Sequence, residues 1–497
     1  MPSLKSLAKE TAIYGMSSII GRFLNYLLVP LYTAKLSAES GGYGVITNMY
    51  SYVALLFVIL TYGMETTFFR FSNKPEENPA RVYSTTLIAV GGTSLLFVAL
   101  VMLFLSPISS AMGYTAHPEY VAVMAACVAI DAFQAIPFAY LRYQKKAIKF
   151  ASLKMLFIVM NIGLNLLYFV VFPALYKDYP DAIGCIYSPT VGVGYAFFLN
   201  LACTASITFF FWRELTGFRY VFDRALLRRM LRYSMPILLL GIAGILNQTA
   251  DKILFPFLCS ADNASRELGI YGAASKIAMI MAMITQAFRY AYEPFVFSKS
   301  NDRDSRETYA LAMKYFIIFT LLAFLVVVGY MDVLRHIIGR DYWDGLKVVP
   351  IVMAAEIMMG VYFNLSFWYK LIDKTIWGAY FSGIGCIVLI AVNVIFVPKY
   401  GYMACAWAGF AGYGTAMVIS YFVGQKKYPI NYPMKEILVY VLITVVLYFC
   451  MTAANKNLSL PLALVVNTLL GILFIAYIIK KDFPLSSLPV IGKRFRK

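Results

Sequence analysis

The long apolar stretches of this sequence contain few ionisable residues. Each one is a candidate for chemistry, because a charge held in hydrocarbon costs at least about 2.5 kcal/mol unless a partner or ligand offsets it. Arg22 lies near the middle of the first stretch, with Asn25 and Tyr26 three and four residues on and therefore on the same helical face. A guanidinium offers a planar fork of donors that fits an oxyanion through two parallel hydrogen bonds. The same group can instead pair with a central acid such as Asp131 and hold two helices together. Asp251 and Lys252 are adjacent, and Lys276 enters the following stretch from the same side, so Asp251 can neutralise one lysine and leave the other for a ligand. Arg289 has Glu293 one turn on as an ion-pair partner. Arg289, Arg22 and the lysine pair would place cations at three depths, a ladder for an anion, with Asn25 beside the central rung.

Asp131, Asp251 and Glu356, with Glu65, are candidates either for coupling to H+ or Na+ or for buried pairing with these cations. Lys154, Asn161 and Asn165 fall on one helical stripe, where the asparagines serve hydrogen bonds between helices or contacts to sugars. Lys154, Lys314, Lys347 and Glu119 lie close enough to stretch ends to reach water. His117 and His336 have no cysteine or carboxylate cluster near them in sequence, so neither a metal site nor a cofactor is expected. Asp302-Arg303-Asp304 is expected to be a solvated charged loop. Cys185 and Cys259 fall in loops on one side, and the sequence does not say whether they pair.

These residues ride on a chain that is 61% hydrophobic and only 14% charged, well below the roughly 25% charge of a soluble domain. Apolar runs of about twenty residues, each able to cross a bilayer, are read at 11–32, 45–66, 83–106, 118–140, 149–172, 190–213, 234–257, 269–297, 309–331, 345–369, 375–398, 401–424, 434–453 and 459–479. The expected fold is an all-α polytopic membrane protein of about 14 transmembrane helices. The start Met-Pro-Ser-Leu-Lys leads straight into a full-length span, read as an uncleaved first helix. Lysine and arginine concentrate in alternate loops, which puts both termini in the cytoplasm and accounts for the net charge of +18 without nucleic acid. The connector 213–233 interleaves arginines with Phe218, Tyr220, Val221, Phe222, Leu226 and Leu227, a pattern for an amphipathic helix on the cytoplasmic leaflet. The longest loop expected outside, Pro173 to Pro189, is too short to hold an enzyme's acceptor and catalytic groups and has no acidic pair for acid–base work.

The chain also repeats itself. Ser17 to Pro30 aligns without a gap on Ala243 to Pro256, setting Arg22 against Gln248, Asn25 against Asp251 and Tyr26 against Lys252. Tyr43-Gly44 and Tyr271-Gly272 open the next span in each half, and Asp131, Phe138, Lys145 and Lys149 recur as Glu356, Phe363, Lys370 and Lys374. A six-span duplication gives two parallel lobes: 1–212, the connector 213–233, 234–424, and a further pair of helices with a basic tail at 425–497.

Twelve spans in two lobes, an added pair, the polar first span ending Leu27-Leu-Val-Pro-Leu-Tyr32, and the segment Tyr271 to Pro294 together resemble the polysaccharide-biosynthesis flippases of the multidrug/oligosaccharidyl-lipid/polysaccharide exporter superfamily, the flippases of O-antigen and capsule repeat units. The resemblance implies a transporter, not an enzyme, in the bacterial inner membrane. Its implied substrate is an undecaprenyl-diphosphate-linked oligosaccharide, carried to the outer leaflet by alternating access through a cationic cavity. Arg22, Asn25, Lys252, Lys276 and Arg289 would meet the diphosphate or glycan, and membrane lipids and a coupling cation would be the other partners. A lipid II flippase and a cation-coupled multidrug exporter of the same superfamily are the alternatives.

Overall fold

The computed structural model describes residues 26–298, 305–372 and 374–482, and every regular element among them is helical. The spans are α1 (Leu28–Lys35, the described end of the first), α2 (Gly42–Thr61), α3 (Pro79–Leu103), α4 (Pro118–Tyr143), α5 (Ala147–Leu166), α6 (Gly194–Phe209), α7 (Arg224–Leu258), α8 (Ala261–Ser298), α9 (Ser305–Gly329), α10 (Val349–Leu365), α11 (Ile376–Tyr400), α12 (Tyr402–Lys427), α13 (Met434–Asn457) and α14 (Leu460–Lys481). Among the described residues, 12 helical segments are long and apolar enough to cross a membrane, and α6 is a shorter apolar helix. The chain is a multi-pass, all-α membrane protein.

Local chemistry sets several of the ends. Asn78 caps α3 by accepting from the N–H of Ala80 at 2.9 Å, with Pro79 in the first turn. Asp223 caps α7 by accepting from Leu226 N–H at 2.9 Å. After α2, Tyr62 (φ 34°) and Gly63 (φ 71°) take left-handed conformations, and the chain restarts as the short helix Met64–Ser72. The connector differs in form from a separate amphipathic helix. A short helix, Trp212–Thr216, leads to a non-helical stretch, and Arg224 already belongs to α7.

The described residues pack as two compact units. The first comprises residues up to Ala273 together with Ser382–Gly409, and the second comprises Ala274–Phe381 with Phe410 onward. In the first unit α4 is enclosed by α2, α3 and α6. Its buried face is rich in alanine (Ala125, Ala129, Ala132, Ala135, Ala139), as expected where lipid removes the hydrophobic drive and close backbone approach must hold helices together. Helix α7 lies along α2: Asn48 donates from its side chain to Lys252 O at 2.8 Å, and a Cβ on Gly241 would sit 2.9 Å from Val58. The connector is fastened to this unit. Tyr83 donates to Glu214 O (3.0 Å), Val221 N–H donates to the Ser84 hydroxyl (2.7 Å), and the buried Glu214 carboxylate meets Lys149 at 2.6 Å.

In the second unit α9 packs on α10, α13 and α14. Lys314 does not reach water as its position near a span end suggests. It is buried between the carboxylates of Glu436 and Asp482, and Tyr440 donates to Asp482 as well. At the far end of the same helices Asn467 donates to Gly329 O at 2.7 Å. The added pair α13–α14 is therefore tied to α9 at both ends.

Candidate functional site

In the first unit, the C-terminal part of α7 carries Asp251 and Lys252. Asp251 is buried, accepts from Lys252 Nζ on both oxygens at 3.0 Å, and accepts from the Tyr271 hydroxyl at 2.7 Å. Lys252 Nζ also donates to Gln248 O at 3.0 Å. Of the two lysines read as alternatives, Lys252 is thus held by the acid. Tyr271 belongs to the repeated Tyr-Gly step, which explains its presence: the same step brings α8 against α2. A Cβ on Gly44 would lie 1.8 Å from Ser265 O, and one on Gly272 would lie 2.4 Å from the Thr47 hydroxyl. Both glycines are required by close approach of the helices, a packing role that the sequence alone does not reveal.

A second polar centre is built around α4 in the same unit. Asn200 donates to Tyr50 Oη at 2.5 Å, and Cys127 Sγ contacts Asn200 Oδ1 at 3.3 Å. Gln134 donates to Thr204 O at 2.7 Å. Asp131 stands one turn from Cys127 at 4.0 Å and interacts electrostatically with Lys154, whose Nζ sits 4.0 Å over the Phe138 ring. Lys154 is exposed, as its position near a span end suggests, and its charge faces Asp131. Glu65 pairs with Arg142. The asparagine stripe on α5 works between helices: Tyr32 donates to Asn165 Oδ1 at 2.8 Å, and Asn165 donates to Asn161.

The second unit holds a small cavity between α8, α9 and α10, with room for about one water molecule. Arg289 and Lys370 line it with Thr285, Asn364, Ser366, Gly360 and the rings of Phe288, Tyr292, Phe316, Phe363 and Phe367. The Arg289 guanidinium lies 5.0 Å from the Phe363 centroid and Lys370 Nζ 4.8 Å from that of Phe367. None of the lining residues is acidic. Sequence reasoning singled out Arg289, and noted Lys370 and Phe363 only as repeat partners. It missed Thr285 and Asn364, which carry no signal as isolated polar residues in a span.

The remaining candidates fall elsewhere. Arg22, Asn25 and Asp302-Arg303-Asp304 lie outside the described residues, as does the Glu293 side chain. Lys276 on α8 and Glu356 on α10 are half-buried in the second unit. Glu119 and His117 are exposed and pair at 2.8 Å, and His336 is exposed beside Trp343. Cys185 and Cys259 are both free thiols.

The family model described as polysaccharide biosynthesis protein matches residues 7–295, more than half of the sequence. The chain belongs to this family. No curated protein matches it in sequence. Among solved structures it is similar to the lipid II flippase MurJ in an inward closed conformation (TM-score 0.70, 17% identity, covering 94% of this chain and 98% of that one). It is also similar to a multidrug resistance MATE family transporter of the MOP superfamily in an inward-facing conformation (TM-score 0.65, 15% identity, 81% and 93%). The MATE multidrug transporter DinF-BH is similar at TM-score 0.57, 17% identity, 85% and 94%. At such identities the likeness is one of fold, and it spans nearly the whole of each neighbour.

Proposed function

We propose that this protein flips a polyprenyl-diphosphate-linked oligosaccharide from the inner to the outer leaflet of a bacterial cytoplasmic membrane by alternating access. The observation that carries the reading is the match to the polysaccharide-biosynthesis family over residues 7–295, and the basic side chains of Arg289 and Lys370 in one cavity wall of the second unit agree with an anionic substrate. Family membership supports a role in polysaccharide assembly. The repeat supports two lobes meeting around a central path, with Arg22, Asn25, Lys276 and Arg289 as the contacts to diphosphate and glycan. Lys252 is retained in that set only as the partner that neutralises Asp251. Asp131 and Glu356 are the candidates for coupling to H+ or Na+. The arginine-rich connector and the other basic loops support a cytoplasmic position for both termini.

A lipid II flippase is the second reading, favoured by the MurJ-like fold over 94% of the chain. The test is complementation in cells lacking their own O-unit flippase, scoring surface glycan and the lipid-linked precursor left inside. Arg22→Lys should keep part of the export and Arg22→Ala very little, because lysine keeps the charge and loses the bidentate fork. Normal export by a well-expressed Arg22→Ala protein overturns the diphosphate role, and rescue of a strain lacking its lipid II flippase, without glycan export, moves the assignment to the second reading.

A further inference from the structure

The connector between α6 and α7 carries more, and more specific, cations than topology alone requires. We infer that residues 209–228 form a binding surface for anionic phospholipid headgroups, in which arginines hold lipid phosphates and the rings between them sit at headgroup level; its assignment to the inner leaflet rests on the orientation given with the flippase reading above. The first observation is residue choice. Residues 213–233 hold six arginines and no lysine, whereas the basic stretches 144–149 and 425–435 hold only lysines. Either cation keeps a loop inside, but only a guanidinium offers a phosphate two parallel N–H donors. The second observation is availability. Arg229 meets Glu77 at 2.7 Å, while Arg213, Arg219, Arg224, Arg228 and Arg232 are exposed and form no ion pair among the described residues. Three of these recur every fourth residue along the first turns of α7, across the helix from the buried Leu226 and Met230.

The third observation is depth. Helix α6 ends at Phe209, which is 79% exposed, and Trp212, 70% exposed, follows it closely. Three residues reach at most about 11 Å, so Trp212 stays near the level where the span leaves hydrocarbon, the level at which tryptophan and tyrosine collect. Tyr220 and Phe222 are half exposed between Arg219 and Arg224. Their backbone is pinned to α3 and cannot turn them inward. Val221 N–H donates to the Ser84 hydroxyl at 2.7 Å, and the Thr85 hydroxyl donates to Val221 O at 3.3 Å and accepts from Asp223 N–H at 3.2 Å. Rings held outward in this way are unfavourable in water and matched among headgroups. A partner protein could cover the same rings, but the patch runs on from the exposed end of α6, where a bilayer already lies against the chain.

The test places the full-length protein in vesicles of phosphatidylcholine and phosphatidylglycerol, with one or the other lipid brominated on its acyl chains to quench tryptophan. The emission of Trp212 is the difference between the unaltered protein and Trp212→Phe. Phosphatidylglycerol should associate at Trp212 about fivefold or more strongly than phosphatidylcholine, and the preference should fall as salt is raised. Joint replacement Arg213→Gln, Arg219→Gln and Arg224→Gln should bring the ratio near one, with thermal unfolding confirming that the variant folds, while the corresponding lysine variant keeps part of the preference. Equal quenching by both lipids, or an unchanged preference in the glutamine variant, overturns the surface. So does a preference erased by inorganic pyrophosphate but not by sodium chloride of equal ionic strength, which would give these arginines to the substrate's diphosphate. Quenching by neither lipid also overturns it, in favour of a partner protein. Lipid preference is read without export, so its absence while Arg22→Ala abolishes export leaves the flippase reading standing. A clear preference with normal export by Arg22→Ala keeps the surface and overturns the diphosphate role.

Discussion

In the first half of the chain, Phe138 of α4 lies edge-on to Phe150 at 5.4 Å and to Phe211 at 4.8 Å, with Lys154 over its ring. Its repeat counterpart in the second half, Phe363 of α10, carries Arg289 over its ring and borders an open cavity. The register that sets Phe138 against Phe363 also sets Ala135 against Gly360, Ala139 against Asn364, Arg142 against Phe367 and Lys145 against Lys370. On the preceding helices the Tyr-Gly register sets Phe57 against Thr285 and Thr61 against Arg289. The first half has filled the space with Phe57, which packs on the Leu60, Val128 and Ala132 cluster, and has spent Arg142 on Glu65. The second half has Thr285 and Gly360 there, and Arg289 and Lys370 lie in the cavity wall. If the flippase reading holds, the first copy of the repeat is the packed scaffold and the second the one that meets substrate, a division that a symmetric reading of the repeat would miss.

The comparison can be broken most directly with its two phenylalanines. Phe138→Ala empties a closed aromatic core and should cost about 3–5 kcal/mol of stability, whereas Phe363→Ala opens a cavity that already exists and should cost less while lowering export more. Thermal unfolding in detergent, set beside export in cells, reads both; equal stability losses would remove the distinction between scaffold and site. Next in size is an exchange of residues between halves. Thr285→Phe installs the first-half residue and should abolish export with only a modest change in unfolding temperature, and export at wild-type level would mean the cavity lies off the substrate path. Gly360→Ala should destabilise by about 1–3 kcal/mol because Phe316 must shift, while the reverse change, Ala135→Gly, should cost only about 0.5–1 kcal/mol of helix propensity.

The smallest effect concerns the connector, which only the first half holds. Asp223 is held below the ordinary carboxylate range by the Leu226 N–H it caps, aided by Arg81 and Arg229. A carboxyl depressed in the folded state stabilises above its unfolded value of about 3.9 and loses that contribution as pH falls through the folded value. Hydrogen exchange at 218–226 should therefore rise on acidification below about pH 4, and the rise should be blunted in Asp223→Asn, which keeps a capping oxygen that cannot be protonated. An identical acid response in the variant would assign the loosening to other groups.

Sequence alone determined the all-α, many-span character, because bilayer thickness imposes a length and polarity on every span that is visible in one dimension. It also showed the repeat, since duplicated Tyr-Gly, acid and phenylalanine positions keep their spacing, and it picked out Arg289 and Asp251 because charges in apolar runs are rare. What it could not show was which charges are already satisfied. Lys252 and Lys276 look equivalent along the chain, yet Lys252 is the lysine that bonds both Asp251 oxygens. Lys314 near a span end looks like a residue that reaches water, yet two carboxylates from helices more than a hundred residues away enclose it. Thr285 comes to a cavity wall only because α8, α9 and α10 converge around it. Pairing and cavity shape depend on side chains converging from distant helices, and that convergence is a property of tertiary packing that no local spacing encodes.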